Sequence, residues 1–483
     1  MELNSSNPSL HVVLFPFMSK GHTVPILHLA RLLLRRPNVA VTFFTTPGNR
    51  SFIADQFLSD TTVSIIDLHY PEKIPEIPAG VESTDKLPFI SLYVQFAEAT
   101  KLMQPAFELK LQSLPPVSFM VSDGFLWWTL ESASKFGFPR FVFYGMGAYA
   151  MSVSKVTMEN RVLIGVEKDG ERVEKDGERI TLPHFPWIKV CKSEFGAMFS
   201  DPEPKGPEFE FTLKHLKAAS NSYGMIVNSF YELEPVFVDY YIREAKLKAW
   251  CVGPVCLAEP PAINETKTRL KPAWIQWLDE KLEQGSSVLY VAFGTQAEIS
   301  PDQIKEIAMG LEESKVNFLW VIRNDETEVE EGFEEKVKER GMVVKEWVNQ
   351  REILLHESVK GFLSHCGWNS VLESICAGVP ILAWPIMAEQ ALNAKMVAEE
   401  IKVGLRVESC DGSVMGGFVK WEELEKKVRE LMVGENVKEL RKKVKELSEG
   451  AKKAMEEEKG LSWHTLDTLI AEACNFQQNV IKD

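Results

Sequence analysis

The chain has 483 residues, too many for one hydrophobic core, and this length predicts two domains of roughly 200 residues each. Apolar residues make up 45%, the share of an ordinary globular protein, and the net charge of −15 excludes nucleic acid and anionic membrane as natural partners. That charge also means an anionic ligand is not drawn in by the overall field, so a local site must hold it.

The N-terminus lacks a basic region, and its apolar run, Val12 to Met18, is too short for a secretory leader or a membrane span. No later stretch reaches spanning length, so a cytoplasmic location is expected. His11 to Phe17 reads as a strand and Val24 to Arg36 as an apolar-faced helix. Ala40 to Thr46, Val63 to Leu68, Val117 to Ser122 and Arg140 to Tyr144 read as further strands, with a helix over Phe125 to Phe136. This βα rhythm predicts a parallel sheet with helices on both faces. Such sheets bind ligands outside the carboxyl ends of their strands. His22 lies just past the first strand, and Asp123 ends another, so the two can meet at one edge of the sheet. An imidazole takes a proton near neutral pH, and an adjacent carboxylate would fix its tautomer. Taken singly, His22 reads as a loop histidine and Asp123 as a helix cap before Phe125.

Val166 to Arg172 and Val173 to Arg179 are identical copies of VEKDGER, each with an Asp-Gly turn dipeptide, and read as a duplication in a solvent-exposed loop. Val252 to Pro272, with Gly253-Pro254 and Pro260-Pro261, reads as an interdomain linker. A second strand series follows: Ser287 to Phe293, Asn317 to Ile322, Met342 to Lys345, Lys360 to Ser364, Pro380 to Ala383 and Gly404 to Val407. Trp421 to Asn479 reads as a helical tail. The cysteines at 191, 251, 256, 366, 376, 410 and 474 are odd in number and form no CxxC pair, so reduced, buried thiols are expected. Asn264-Glu265-Thr266 fits a glycosylation sequon by chance.

The richest segment runs from Trp347 to Gln390. Ser364-His365-Cys366-Gly367-Trp368-Asn369-Ser370 joins a buried strand to a helix start, where backbone N–H groups and the positive dipole end favour an anion. The Ser370 hydroxyl, the Asn369 amide and the His365 imidazole add side-chain donors. Glu373, four residues after Asn369, lies on the same helix face and can reach a ribose diol. Trp347 offers a flat face to a base, and Glu389-Gln390 can hydrogen-bond sugar hydroxyls.

This segment closely resembles the sugar-nucleotide box of plant secondary-product glycosyltransferases, the family 1 UDP-dependent enzymes. The resemblance extends along nearly the whole chain, through Gly21-His22-Thr23-Val24-Pro25 and Phe293-Gly294-Thr295. It implies a GT-B fold of α/β class, with two Rossmann-like domains whose parallel sheets face across a cleft. The domains would be an acceptor-binding domain over 1–251, the linker 252–272, a UDP-sugar-binding domain over 273–459 and a returning helix over 460–483. It implies that His22 and Asp123 form a catalytic dyad, that Trp347 stacks on uracil, and that the backbone at Val348 with Gln350 meets the uracil edge. Glu373 would take the ribose diol, and Trp368, Glu389 and Gln390 the transferred sugar. The helix start at Asn369-Ser370, with His365 and Thr295, would stabilise the leaving diphosphate. A terminal Gln in the box tends to accompany glucose, which points to UDP-glucose as co-substrate. The chain contains no Asp-x-Asp, so neither metal nor cofactor is expected. Two departures from the family pattern stand out. Trp347-Val348-Asn349-Gln350 replaces Trp-Ala-Pro-Gln, and Thr295 replaces a Ser.

The implied reaction is direct displacement at the anomeric carbon with inversion, onto a hydroxyl of a small aromatic acceptor such as a flavonoid, phenolic or hormone. Phe17, Phe125, Tyr144, Phe195 and Phe199 are candidates to line an apolar acceptor pocket, with core packing as the alternative. Three rival readings stay open. Gly145-Met146-Gly147-Ala148-Tyr149-Ala150 fits the GxGxxA dinucleotide fingerprint of a dehydrogenase, but it sits in a late βα unit without a well-placed acidic residue. The others are a non-catalytic sugar-nucleotide-binding protein and the same fold using another UDP-sugar.

Overall fold

The computed structural model describes residues 10–58, 60–164, 167–168, 171–172, 179–244, 247–258, 271–322, 329–435 and 437–480. The chain divides into two compact units. One comprises Met1–Ala148, Pro204–Glu259 and Lys453–Asp483, and the other Tyr149–Glu203 and Pro260–Lys452.

The first unit is built on a seven-stranded sheet in the order Ala249–Cys251, Gly224–Val227, Arg140–Tyr144, Phe119–Asp123, Leu10–Phe15, Val39–Thr45, Val63–Asp67. Every neighbouring pair is parallel. A sheet covered on both faces needs apolar residues at every strand position, not alternate ones. In Leu10–Phe15, Val12 and Leu14 join one core with Ile26, Leu29 and Leu33 of helix Lys20–Leu34. Val13 and Phe15 join the opposite core with Phe96, Phe107 and Trp128. Helix Leu461–Val480 packs on the first of these cores through Leu466, Leu469 and Ala473. There Ser462 donates to the Gly253 carbonyl at 2.6 Å, and Arg36 meets Asp467 at 3.0 Å while stacking on Trp463.

The second unit carries a six-stranded sheet in the order Gly341–Val344, Asn317–Val321, Val288–Ala292, Val359–Ser364, Ile381–Ala383, Gly404–Arg406, again parallel throughout. Leu289 and Val291 point into one core, Val288, Tyr290 and Ala292 into the other. Both units are therefore Rossmann-like layers, the architecture of the GT-B fold.

The elements differ from expectation in particular places. Gly224–Val227 and Ala249–Cys251 were not foreseen, being four and three residues long, too short to show a period. The helix expected from Phe125 starts at Thr129, because the backbone first turns on Asp123, whose carbonyl accepts the Leu126 N–H at 3.1 Å. The expected helical tail is three helices, Trp421–Val433, Val437–Ala454 and Leu461–Val480. In the VEKDGER repeat, Glu167–Lys168 pairs antiparallel with Glu171–Arg172, and 173–178 lie outside the described residues. So do 259–270, which hold most of the expected linker and the sequon. All seven cysteines are free thiols. The expected burial is met at Cys251, Cys256, Cys366 and Cys376, but Cys191 and Cys474 are only half-buried and Cys410 is exposed. Among the described residues no helix is long and apolar enough to cross a membrane.

Candidate active site

In the first unit, register brings His22 and Asp123 together. Strands Leu10–Phe15 and Phe119–Asp123 are neighbours, with Phe15 opposite Ser122, so the chain leaves both at the same sheet edge. His22 sits in the first turn of the following helix, and its Nδ1 lies 2.7 Å from Asp123 Oδ2 across 101 residues of sequence. The histidine side chain is 21% exposed and the aspartate 0%. With Nδ1–H donated to the carboxylate, Nε2 is the basic nitrogen. Asp123 Oδ1 accepts the Phe125 N–H at 2.9 Å and so braces a turn; it does not cap a helix, because the next helix starts only at Thr129 with Trp128 at its cap position.

Below the dyad lies a fully buried guanidinium. Arg140 donates from Nε to Ser122 Oγ (2.8 Å) and Thr129 Oγ1 (3.1 Å), from Nη1 to Ser222 Oγ (2.7 Å) and from Nη2 to the Asp123 carbonyl (3.2 Å). Burial lowers it to about 10, still protonated at neutral pH. These bonds hold the last two residues of the Asp123 strand in place. Sequence reasoning passed over Arg140, because an arginine at a strand start reads as surface.

Phe17, Phe125 and Tyr144 form one aromatic group beside His22. Phe17 and Phe125 have ring centroids 5.6 Å apart, the His22 ring is 5.5 Å from Phe17 and 5.0 Å from Phe125, and Tyr144 is 6.3 Å from Phe125. Gly124 makes room for this group, since a Cβ there would come within 2.0 Å of the Tyr144 ring. Another member, His215, was missed. Its Nδ1 lies 3.0 Å from the Tyr144 hydroxyl and its ring 5.2 Å from that of Phe125. Burial pushes His215 down to about 4 and Tyr144 well above the ordinary phenol range. Phe211 and His215, spaced i, i+4 on helix Pro207–Ser220, were the available signal. Phe195 and Phe199 belong to the second unit, where their rings pair at 4.9 Å.

In the second unit, strands Val288–Ala292 and Val359–Ser364 are adjacent, with Ala292 opposite Ser364, so loops 293–295 and 365–367 leave the same edge. They converge on His365. A Cβ on Gly294 or on Gly367 would stand 2.7 Å from its Nε2, and Gly294 has φ +78°. Glycine is required at 294 on both counts. Cys366 (φ 61°) and Ala388 (φ 54°) are non-glycine residues in the left-handed region, next to His365 and Glu389. Such backbone strain gathers at functional sites.

Helix Trp368–Ala377 starts beyond Gly367, and its first-turn N–H groups have no intrahelical acceptor. Asn369 and Ser370 occupy that turn. Gln350 Nε2 donates to Ser370 Oγ (2.9 Å) and to Glu373 Oε2 (2.7 Å), and Gln350 Oε1 faces the Tyr290 hydroxyl at 3.4 Å. The amide thus orients the carboxylate. Trp347 is 59% exposed, its ring available for stacking, whereas Val348 is buried and offers only its backbone. Trp368, at 2% exposed, and Trp384 are packed. Gln390 Oε1 accepts the N–H groups of Ile386 and Met387, each at 3.0 Å, which leaves its NH₂ group to act as donor. Glu389 precedes it, half-buried, at the cap of helix Gln390–Lys395, and Thr295 is half-buried after Gly294. Among the described residues no three His, Cys, Asp or Glu side chains gather as a metal cluster would.

Such an arrangement can hold a base, a ribose and an anion along one edge of a parallel sheet. A family model for "UDP-glucoronosyl and UDP-glucosyl transferase" matches residues 275–439. UDP-glycosyltransferase 90A1 of Arabidopsis thaliana is 57% identical over 97% of this chain and 97% of its own, and 90A2 of the same plant is 53% identical over 96% and 98%. The structure of Glycyrrhiza uralensis UGT73P12 with glycyrrhetinic acid 3-O-monoglucuronide superposes with TM-score 0.84 at 29% identity, covering 98% of this chain and 97% of that one. That of Medicago truncatula UGT71G1 with UDP-glucose gives 0.78 at 27%, covering 97% and 99%. At these identities over nearly the full length, with the GT-B architecture and the sugar-nucleotide box in place, the chain belongs to the plant family 1 UDP-glycosyltransferases.

Proposed function

We propose that the chain is an inverting, metal-independent glucosyltransferase that moves glucose from UDP-glucose to a hydroxyl of a small aromatic acceptor. The 2.7 Å contact between His22 Nδ1 and Asp123 Oδ2 carries this reading. His22 Nε2 removes the acceptor proton, Asp123 balances the imidazolium that forms, and the acceptor oxygen displaces UDP with inversion at the anomeric carbon. Trp347 stacks on uracil, the Val348 backbone and Gln350 address its edge, and Glu373 takes the ribose diol. Trp368 contributes at the sugar through its backbone, with Glu389 and the Gln390 amide. The helix start at Asn369-Ser370, with His365 and Thr295, neutralises the diphosphate as it leaves, the task that a metal would otherwise perform. UDP-glucose as donor is supported by Gln390 and by the Medicago relative's complex with UDP-glucose.

The rings of Phe17, Phe125 and Tyr144 favour a flat apolar acceptor, and Phe195 and Phe199 are assigned as further acceptor contacts. We assign acceptor binding to domain 1–251, the linker to 252–272, donor binding to 273–459 and a returning helix to 460–483, in a cytoplasmic protein. The test is incubation with UDP-glucose and a panel of phenolics, with and without EDTA, followed by mass. Adducts that survive EDTA and vanish in His22→Ala support the proposal. Transfer undiminished in His22→Ala overturns the base, and loss with EDTA that added metal restores overturns metal independence. A preference for UDP-galactose, UDP-xylose or UDP-rhamnose over UDP-glucose overturns the donor.

A further inference from the structure

Two charges of the second unit lie almost wholly out of water and have no part in the chemistry above. Glu194 is 2% exposed and Lys395 1%. Glu194 Oε1 accepts from Lys395 Nζ at 3.0 Å, across 201 residues of sequence. The other carboxylate oxygen, Oε2, accepts the Cys191 N–H at 3.0 Å and closes the 3₁₀ turn Lys192–Glu194. The Lys395 ammonium also lies 3.1 Å from Glu399, whose Oε1 is 3.8 Å from Arg406 and 3.9 Å from Arg179.

Taking two ions out of water carries a desolvation penalty that their attraction offsets only in part, so such a pair is weak evidence for stability. Its best-attested use is to set register. The elements it joins give that use a direction. Lys395 ends helix Gln390–Lys395, and a π-helical turn, Met396–Glu400, follows at once. Such turns are frequent at functional sites. At the other end of the helix is Gln390, its amide oriented by the Ile386 and Met387 N–H groups. Midway, Asn393 Nδ2 donates at 3.0 Å to the carbonyl of Cys366, next to His365. On the other partner, Glu194 directly precedes Phe195, whose ring pairs with Phe199.

We propose that the buried Glu194–Lys395 pair is a positioning device for sugar transfer. It fixes the register of the helix that presents Gln390 against the 3₁₀ turns that carry Phe195 and Phe199. The sugar-holding amide and the Phe195–Phe199 ring pair are thereby set as one piece. The inference rests on the assignment of Gln390 to the donor sugar. UDP alone lacks the sugar and should not sense the pair.

The test uses the full chain, Glu194→Met/Lys395→Met and the isosteric Glu194→Gln. Replacing both ions with apolar side chains of similar volume should leave the melting temperature at or above that of the wild type. The misplaced amide should lower kcat/KM for UDP-glucose by about ten- to a hundred-fold. Titration calorimetry should show UDP bound as in the wild type and UDP-glucose bound more weakly. A double variant with wild-type kcat/KM overturns the proposal, and so does a parallel loss of UDP and UDP-glucose affinity. Should the double variant not fold, Glu194→Gln decides. A lowered kcat/KM with UDP bound as in the wild type supports the proposal, and a wild-type kcat/KM or a parallel loss of UDP affinity overturns it. A wild type that transfers no glucose refutes the proposed function instead. The ratio of UDP-glucose to UDP affinity then judges the pair, a fall in the variants supporting it and an unchanged ratio overturning it.

Discussion

Replacing Asp123 with Asn probes the dyad at its most buried group. The two carboxylate oxygens have separate partners, Oδ2 at His22 Nδ1 (2.7 Å) and Oδ1 at the Phe125 N–H (2.9 Å). Asparagine has the same shape and keeps one oxygen for Phe125, so the local turn survives. Its NH₂ then faces Nδ1 as a donor where the carboxylate accepted. The imidazole must present a lone pair at Nδ1 and carry its proton on Nε2, the wrong tautomer for a base, and the imidazolium loses its counter-charge. Loss of a positioned base costs about 100- to 10,000-fold in rate, or roughly 3–5 kcal/mol of barrier. The assay is the initial rate of glucosyl transfer at saturating UDP-glucose to phenols of graded acidity, up to nitrophenols. The loss in kcat should be full for a phenol whose pKa is about 10 and should shrink as the acceptor sheds its proton unaided. UDP affinity should stay at the wild-type value. A loss below about three-fold with the weakly acidic phenol, against the hundred-fold minimum for a base, refutes the reasoning. So does a loss that is the same for every acceptor.

Trp347→Ala removes an exposed ring and should leave the melting temperature unchanged while weakening UDP by about 1–3 kcal/mol, read by calorimetry; unaltered UDP affinity would count against stacking. Gly294→Ala places a methyl against His365 in a left-handed backbone, so KM for UDP-glucose should rise about ten-fold or more with the acceptor KM unmoved, and steady-state kinetics that show the reverse would reject the assignment. Burial holds His215 down to about 4, below the ~6.5 it regains on unfolding, so between these values the unfolded chain binds more protons and stability falls as pH falls. Urea midpoints measured across that window should decline less steeply for His215→Gln than for the wild type, and equal slopes would show that this imidazole is not the cause.

The residues proposed for donor binding were legible because most of them lie in one linear stretch. A strand, the turn after it and the next helix start stay adjacent in space whatever the rest of the fold does, so Trp347 to Gln390 could be read in order. The parallel sheets were legible from apolar runs such as Val12–Phe15, buried on both faces. Strands as short as Ala249–Cys251 were not, because three residues carry no period and only pairing with a neighbour makes them strand.

The sequence by itself determined the layered α/β class through local periodicity, the family through resemblance of its motifs, and the residue types available for a base, a ribose and a phosphate, since these are read from near neighbours in the chain. Tertiary structure decided which distant groups meet. His22 and Asp123 were placed at one sheet edge by topology, but their contact at 2.7 Å depends on the register of two strands. Arg140, Glu194 and Lys395 look in sequence like ordinary surface charges. Only folding takes them out of water, and with water gone each charge must find its partner within the protein.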